Sequence, residues 1–250
     1  MIAAGLALAF VIGLTLGLFG GGGSILTVPV FVYVLGFDPK LAITMSFPVV
    51  GATSLVGAIG HWRAGNVRLA NALLFGLVAM AGSYGAARAS GLLDGRVQLL
   101  ILGVAMAAAA VMMLRSASRE AAHVPVERAP SGALYVVALS VGVLTGMIGI
   151  GGGFLIVPAL VVFGQVPMRE AVGTSLLVIA MNCVSGFAGQ RAVHAVPWLY
   201  VSTFTAVAIT GIVAGTRFAR FVPQRTLKQG FAVLLLVIAA LVLWQNHSRL

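Results

Sequence analysis

Charged side chains are so sparse along this chain that its apolar segments run almost without interruption. From Met1 to Phe37, and again from Val97 to Leu114, no charged side chain occurs. Each stretch is about as long as, or longer than, the ~20 residues that carry a helix across a hydrocarbon core. Polar positions divide the chain into apolar segments that predict helices over 2–18, 24–36, 41–60, 69–89 and 97–114, then over 131–147, 153–165, 170–189, 198–216 and 228–246. The segment 24–36 stands apart. At 1.5 Å per residue it spans roughly 20 Å, too short for a core of ~30 Å. It follows Gly20-Gly21-Gly22-Gly23, and irregular backbone is tolerated at membrane depth only where protein or a polar cavity surrounds it. The pattern therefore predicts a broken or re-entrant helix hairpin whose glycine turn lies inside the membrane.

The same pattern occurs twice, at an offset of 129 residues. Gly17, Gly20, Gly22 and Gly23 fall on Gly146, Gly149, Gly151 and Gly152, and Leu26, Val28 and Pro29 fall on Leu155, Val157 and Pro158. Ala42, Ser46, Gly57 and Gly60 fall on Ala171, Ser175, Gly186 and Gly189, and Phe75, Gly82, Arg88 and Arg96 on Phe204, Gly211, Arg217 and Arg225. Apolar composition alone aligns leucines and alanines by chance, but not glycine, proline, serine and arginine in one register. The chain reads as an all-α polytopic membrane protein of two homologous halves, residues 1–114 and 131–250, joined by the polar linker 115–130 (RSASREAAHVPVERAP).

Composition sharpens this picture. Of 250 residues, 60% are apolar and 8% charged, where a soluble domain carries roughly a quarter charged. The 32 glycines suit close helix crossings in a membrane. The net charge of +10 lies in short gaps between apolar segments, not in one basic stripe, which points to orienting loops and not to nucleic acid. With five segments per half, one side collects ten basic residues (Arg63, Arg68, Arg115, Arg119, Arg128, Arg169, Arg217, Arg220, Arg225, Lys228) and the other five (Lys40, Arg88, Arg96, Arg191, Arg249). Merging each glycine hairpin into one span gives eight against seven. The orientation rule expects asymmetry, so it favours inverted halves, both termini outside and the linker in the cytoplasm. The N-terminal run MIAAGLALAFVIGLTLGLF lacks a basic leader region and a small-residue cleavage site, and reads as a retained first helix. The single Cys183 forms no intrachain disulfide and reads as packing.

Candidate chemistry concentrates at the glycine clusters. The opening N–H groups of a helix lack intrahelical partners and carry partial positive charge. Two half-helices starting near Ser24 and Gly153 can aim such groups at one central point, where glycine lets an anion approach. The candidate site is Gly20, Gly21, Gly22, Gly23 and Ser24 with Gly149, Gly151, Gly152 and Gly153. The structural alternative is that these glycines serve helix crossings alone. Ser46, Thr174 and Ser175 offer hydroxyls to the same anion, or else bond back to helix carbonyls. Asn182 lies deep in its segment as either a helix contact or a cavity group. His61, Arg63, Gln190 and Arg191 follow Gly60 and Gly189 and read first as interfacial anchors, with Arg191 the better candidate to meet an anion.

Soluble-enzyme motifs are absent. The run Gly20 to Ser24 has no Lys-Ser/Thr pair and no preceding strand, so it is no nucleotide loop. An intramembrane serine protease needs a Ser–His pair, and Ser24 with His61 sits in the wrong pattern. All five acidic residues lie in or beside loops, so no Asp or Glu within a span relays a proton or binds Na⁺. Any coupling must use histidine, backbone oxygens or the substrate's own proton, or the carrier is a uniporter. The reading is of a non-enzymatic secondary transporter of a small anion working by alternating access. Its partners are the anion, the lipid bilayer and H⁺ or Na⁺ as coupling ion, and no cofactor is called for. An intramembrane enzyme and a non-transporting membrane subunit are the alternatives.

At GLFGGGGSILTVPV in the first half and GMIGIGGGFLIVPAL in the second, the sequence resembles the TauE/SafE sulfite-exporter family, or TSUP permeases. LAITMSFPVV and EAVGTSLLVI extend the resemblance, which covers essentially the whole chain. It implies a bacterial inner-membrane permease for small sulfur-containing or organic anions such as sulfite, sulfonates or sulfoacetate, driven by ion gradients and not by ATP. The first-half serine motif carries Pro48, a kink that the second half lacks.

Overall fold

A computed structural model describes residues 2–89, 95–121, 131–148, 153–190 and 193–247. Its order is α1 (Ile2–Phe19), α2 (Gly22–Pro29), α3 (Pro39–Arg63), α4 (Leu69–Ala89), α5 (Gly95–Ala121), α6 (Ser131–Ile148), α7 (Gly153–Val162), α8 (Met168–Gly189), α9 (Trp198–Phe218) and α10 (Gln224–His247), with no strand among the described residues. Five of these helices are long and apolar enough to cross a membrane: α3, α4, α8, α9 and residues Gln224–Leu241 of α10. Residues 115–121, the start of the polar linker, continue α5 as helix. The rest of the linker, 122–130, lies outside the described residues.

Local chemistry explains the boundaries. Asp38 starts α3 by accepting the N–H of Lys40 at 2.9 Å and of Leu41 at 3.4 Å, with Pro39 preorganised at the first helical position. The half-length segments end abruptly. After Pro29 the backbone widens into a π-helical turn, Val30–Val34, closed by Leu35 N–H to the Val30 carbonyl at 3.0 Å and Phe37 N–H to Phe31 at 2.9 Å. The second half repeats both bonds at the same offset, Gly164 to Ala159 at 3.1 Å and Val166 to Leu160 at 3.0 Å. The residue that turns the chain there is left-handed in each half, Gly36 (φ 75°) in one and Gln165 (φ 50°) in the other.

Packing follows the same exchange. Helix α1 lies along α9 as α6 lies along α4, α3 crosses α8, α5 pairs with α10, and α2 meets α7. The crossings are tight because small residues interlock. A Cβ on Gly13 would overlap the Ala208 carbonyl, and one on Gly142 would overlap the Ala79 carbonyl, the equivalent contact. Gly17 and Gly146 pack the same way against Ile212 and Ser83. These four glycines serve helix crossing. The short α2 folds back along α1, so that a Cβ on Gly23 would overlap the Ile12 carbonyl and Gly5 lies against Leu35. The core between these layers holds Phe31, Phe47, Phe75, Phe154, Phe204 and Phe231, all fully buried.

Candidate functional site

The α1–α2 turn brings its glycines to the starts of α7 and α8. Gly20 takes φ 73°, a left-handed conformation that closes the turn and that side-chain-bearing residues rarely adopt. Gly21 then touches Gly153 directly: a Cβ on Gly21 would overlap the Gly153 carbonyl, and one on Gly153 would lie 2.7 Å from Gly21 Cα. Gly153 also packs on Ile179, halfway along α8. The first residues of α2 and α7 therefore stand side by side, buried between α3 and α8. No side chain caps the start of α2, so its opening N–H groups keep the unpartnered character that attracts negative charge.

The predicted hydroxyls divide by what they bond. Ser24 donates to the Gly21 carbonyl at 2.7 Å, Ser46 to Ile43 at 2.7 Å and Ser175 to Val172 at 2.8 Å, with a longer 3.4 Å contact from Ser175 to the Gly20 carbonyl. Ser46 and Ser175 thus back-bond to their own helices, and each must turn its proton to face a ligand. Thr174 accepts the Arg68 backbone N–H at 3.0 Å, tying the α3–α4 connection to the start of α8. Asn182 is different. It is fully buried, and neither its amide nitrogen nor its carbonyl oxygen has a partner. It follows Ile179 by one helical step on the stripe that runs from Ser175 past Gly153. An amide left unpaired in such a place costs ~1–3 kcal/mol.

Two further buried hydroxyls without partners were not singled out in the sequence, Thr27 on α2 and Ser54 on α3. Helical spacing is the signal that could have found Thr27, which follows Ser24 by three residues on the α2 face that begins at the glycine turn. His61 corrects its first reading. It is not an interfacial anchor but 4% exposed, with Nε2 3.4 Å from the Gly17 carbonyl, because the α1–α2 turn covers the end of α3. Gly22 opens α2 in register with these residues. Gly149, Gly151, Gly152 and Arg191 lie outside the described residues.

Basic side chains gather at the end of the molecule where α3 finishes and α8 begins. Arg68 pairs with Glu170, and Arg169 donates to the Arg220 and Val222 carbonyls at 3.2 Å each. A cavity of about 610 Å³ opens between α3 and α8 beside Pro48, Gly51, Cys183 and Val184. Its walls are apolar, which suits a hydrocarbon neighbour and not an anion. Among the described residues no three His, Cys, Asp or Glu side chains converge as metal ligands do.

Comparison with known proteins agrees with this architecture. The family model for the sulfite exporter TauE/SafE matches residues 5–242. A probable membrane transporter protein of Xylella fastidiosa (strain 9a5c) is 34% identical over 245 residues, covering 96% of this chain and 94% of the relative. The probable membrane transporter protein YdhB of Bacillus subtilis is 26% identical over 222 residues, covering 88% and 91%. A counterpart in Methanocaldococcus jannaschii is 24% identical over 221 residues, covering 82% and 78%. With a family match along nearly its whole length and apolar helices to span a bilayer, the chain belongs to the TauE/SafE sulfite exporter family and is a membrane transporter.

Proposed function

We propose that this transporter carries a small sulfur-containing or organic anion, such as sulfite or a sulfonate, by alternating access in the bacterial inner membrane. The anion rests where α2 and α7 begin, held by backbone N–H groups and by Asn182, with hydroxyls of Thr27, Ser46, Ser54, Thr174 or Ser175 completing its shell. The two halves, 1–114 and 131–250, are inverted repeats whose glycine hairpins are re-entrant, and the linker 115–130 is cytoplasmic. An H⁺ or Na⁺ gradient drives accumulation.

The observations that carry this reading are the contact of Gly21 with Gly153, which packs on Ile179, and an unpartnered, fully buried Asn182 one helical step beyond Ile179. Adjacent helix starts and a nearby helix bearing a buried amide with free donor capacity suit a dehydrated anion, and inverted-repeat transporters build their sites at broken helices of this kind. The exchanged packing of the halves and the ten-to-five split of loop charge support inversion.

Counterflow in proteoliposomes tests the proposal. Radiolabelled sulfite, methanesulfonate, taurine and sulfate are each offered to vesicles loaded with the unlabelled anion. Transient accumulation of sulfite or a sulfonate is expected, with Asn182→Leu reducing it at least tenfold while the variant remains folded. Absence of counterflow across the whole panel, with protein correctly inserted, overturns the reading.

A further inference from the structure

We infer that His61 is the coupling site of this transporter: it binds a proton at Nδ1 together with the anion and releases it when the anion leaves. The inference rests on the transport reading above and names H⁺ as the coupling ion.

The first argument is elimination. Among the described residues, the buried polar and charged side chains include no Asp or Glu, one histidine and one lysine, Lys228. Lysine ordinarily holds its proton well above neutrality, whereas imidazole exchanges one near pH 7. His61 is therefore the buried group suited to load and unload a proton as the protein cycles.

Geometry supplies the second. A carbonyl only accepts, so the Gly17 oxygen facing Nε2 at 3.4 Å requires Nε2 to carry the hydrogen of the neutral ring. Nδ1 is then left with its lone pair, buried and without a partner. The ring also stands where three helices meet. It belongs to α3, it faces α1 just before the glycine turn, and its Cβ lies 2.9 Å from where a Cβ on Gly173 of α8 would sit. Its backbone carbonyl accepts the N–H groups of Ala64 at 3.2 Å and Asn66 at 2.9 Å, so the α3–α4 connection hangs on it too.

The charged surroundings explain why proton and anion travel together. Helix α1 presents no charged side chain. From α8 come Gly173 and, a turn earlier, Glu170, already paired with Arg68 of the connection. On α3 itself Arg63 is exposed. From the turn between α9 and α10, Arg220 acts on the ring with its positive charge. An imidazolium here is thus a buried cation with no free counter-charge nearby, which is costly. An arriving anion supplies that charge, and the imidazolium offsets the anion's own desolvation. Each stabilises the other by the same free energy, as linkage requires. The proton passes from water onto Nδ1 on one side and from Nδ1 to water on the other. The second half has Gln190 at the equivalent position, so this site exists once per chain.

The test uses the full-length protein in vesicles containing a trapped pH dye. ¹⁴C-methanesulfonate is the main probe, because it stays ionised near neutrality and brings no proton of its own; ³⁵S-sulfite is run in parallel. In the wild type, entry of the carried anion should acidify the lumen. A gradient of one pH unit, acid outside, should raise accumulation by up to about tenfold, the factor that one proton per anion supplies. His61→Gln, which copies the residue of the other half, should bring that ratio to about 1 in whatever flux it retains. Wild-type net uptake into anion-free vesicles without acidification, or an unchanged gradient response in His61→Gln, overturns the inference while leaving the transport reading intact. No counterflow of either probe removes both. Should His61→Gln lose all flux, ¹⁵N-histidine spectra of the wild type decide: the ring signal missing from the variant should shift from neutral to imidazolium on saturation with the carried anion. An unshifted signal overturns the inference.

Discussion

The two ends of the α3–α8 pair share a backbone and differ in chemistry. At one end the α3–α4 connection meets the start of α8; at the other the α8–α9 connection meets the start of α3. Their hydrogen bonds repeat, Ala72 N–H to Arg68 at 2.9 Å matching Val201 N–H to Pro197 at 3.1 Å, and Ala42 to Asp38 matching Ala171 to Pro167, both at 2.8 Å. The first end adds the Arg68–Glu170 ion pair, the 3.0 Å bond to Thr174 and the buried His61. At the second end Pro197 and Leu41 stand where the ion pair would be, Met45 replaces Thr174, and Thr44 meets Gln190 Oε1 at 3.4 Å. Among the described residues, the same backbone pattern is fastened at one end with charge and at the other with a long hydrogen bond. On the proposed alternating-access cycle, ends of unequal hold set which state is preferred at rest.

The largest effect is expected where the halves touch. Gly21→Val drives a branched side chain into the Gly153 carbonyl, with no flexible neighbour to yield. It should cost about 3 kcal/mol or leave no folded protein. Gly85→Ala is the contrast, because its Cβ meets nothing within 4 Å, and it should gain up to ~1 kcal/mol from helix propensity. Thermal unfolding in detergent ranks the two, and a Gly21→Val protein as stable as wild type would contradict the close contact. Next comes Asn182 against its repeat equivalent Thr53. Thr53 already donates to Val49 at 2.6 Å within its own helix, so Thr53→Val should change stability by less than ~1 kcal/mol and leave counterflow within about threefold. Asn182→Leu removes an unpaired amide and should stabilise the protein by ~1–2 kcal/mol while abolishing counterflow. Equal effects at the two positions would erase the distinction drawn between the halves. At the ends themselves, Glu170→Gln should cost about 0.5 kcal/mol at low salt and less at high salt, since the pair is partly exposed. Gln190→Ala should cost less still.

Much of this was legible before any fold was seen, because membrane physics ties hydropathy to helices and a duplicated register ties one half to the other. The span of α4 is legible at its observed bounds, 69–89, since Arg68 precedes it and no charge interrupts it before Arg88 in its last turn. Boundaries set by backbone geometry were less visible: α3 begins at Pro39 through the Asp38 cap, and residues 30–34 widen into a π turn that hydropathy does not report. At the candidate site, glycine density pointed to the α1–α2 turn but not to its partner, because Gly21 meets Gly153 and not its own repeat equivalent, Ile150. His61 reads as an interfacial anchor because it follows Gly60 together with Arg63, which is indeed exposed. Only the fold-back of α1–α2 over the end of α3, a tertiary event, puts the ring inside.

The smallest expected effect tests the comparison at its simplest, where both halves need the same backbone and only one has the residue for it. Gly36 and Gln165 occupy equivalent left-handed positions, at φ 75° and 50°. Glycine reaches that region without steric cost, whereas a residue with a Cβ pays ~1–2 kcal/mol against its own carbonyl. A Cβ on Gly36 meets nothing within 4 Å, so Gly36→Ala isolates the backbone penalty and should cost roughly 1 kcal/mol. Gln165→Gly removes the same penalty but also the contacts its side chain makes and adds unfolded-state freedom, so it should gain only about 0.5 kcal/mol. Opposite signs in the two melting shifts, a few degrees or less apiece, are the expected result. A loss at both positions would mean that the Gln165 side chain, and not the shared turn, holds the second half's short helix to its neighbours.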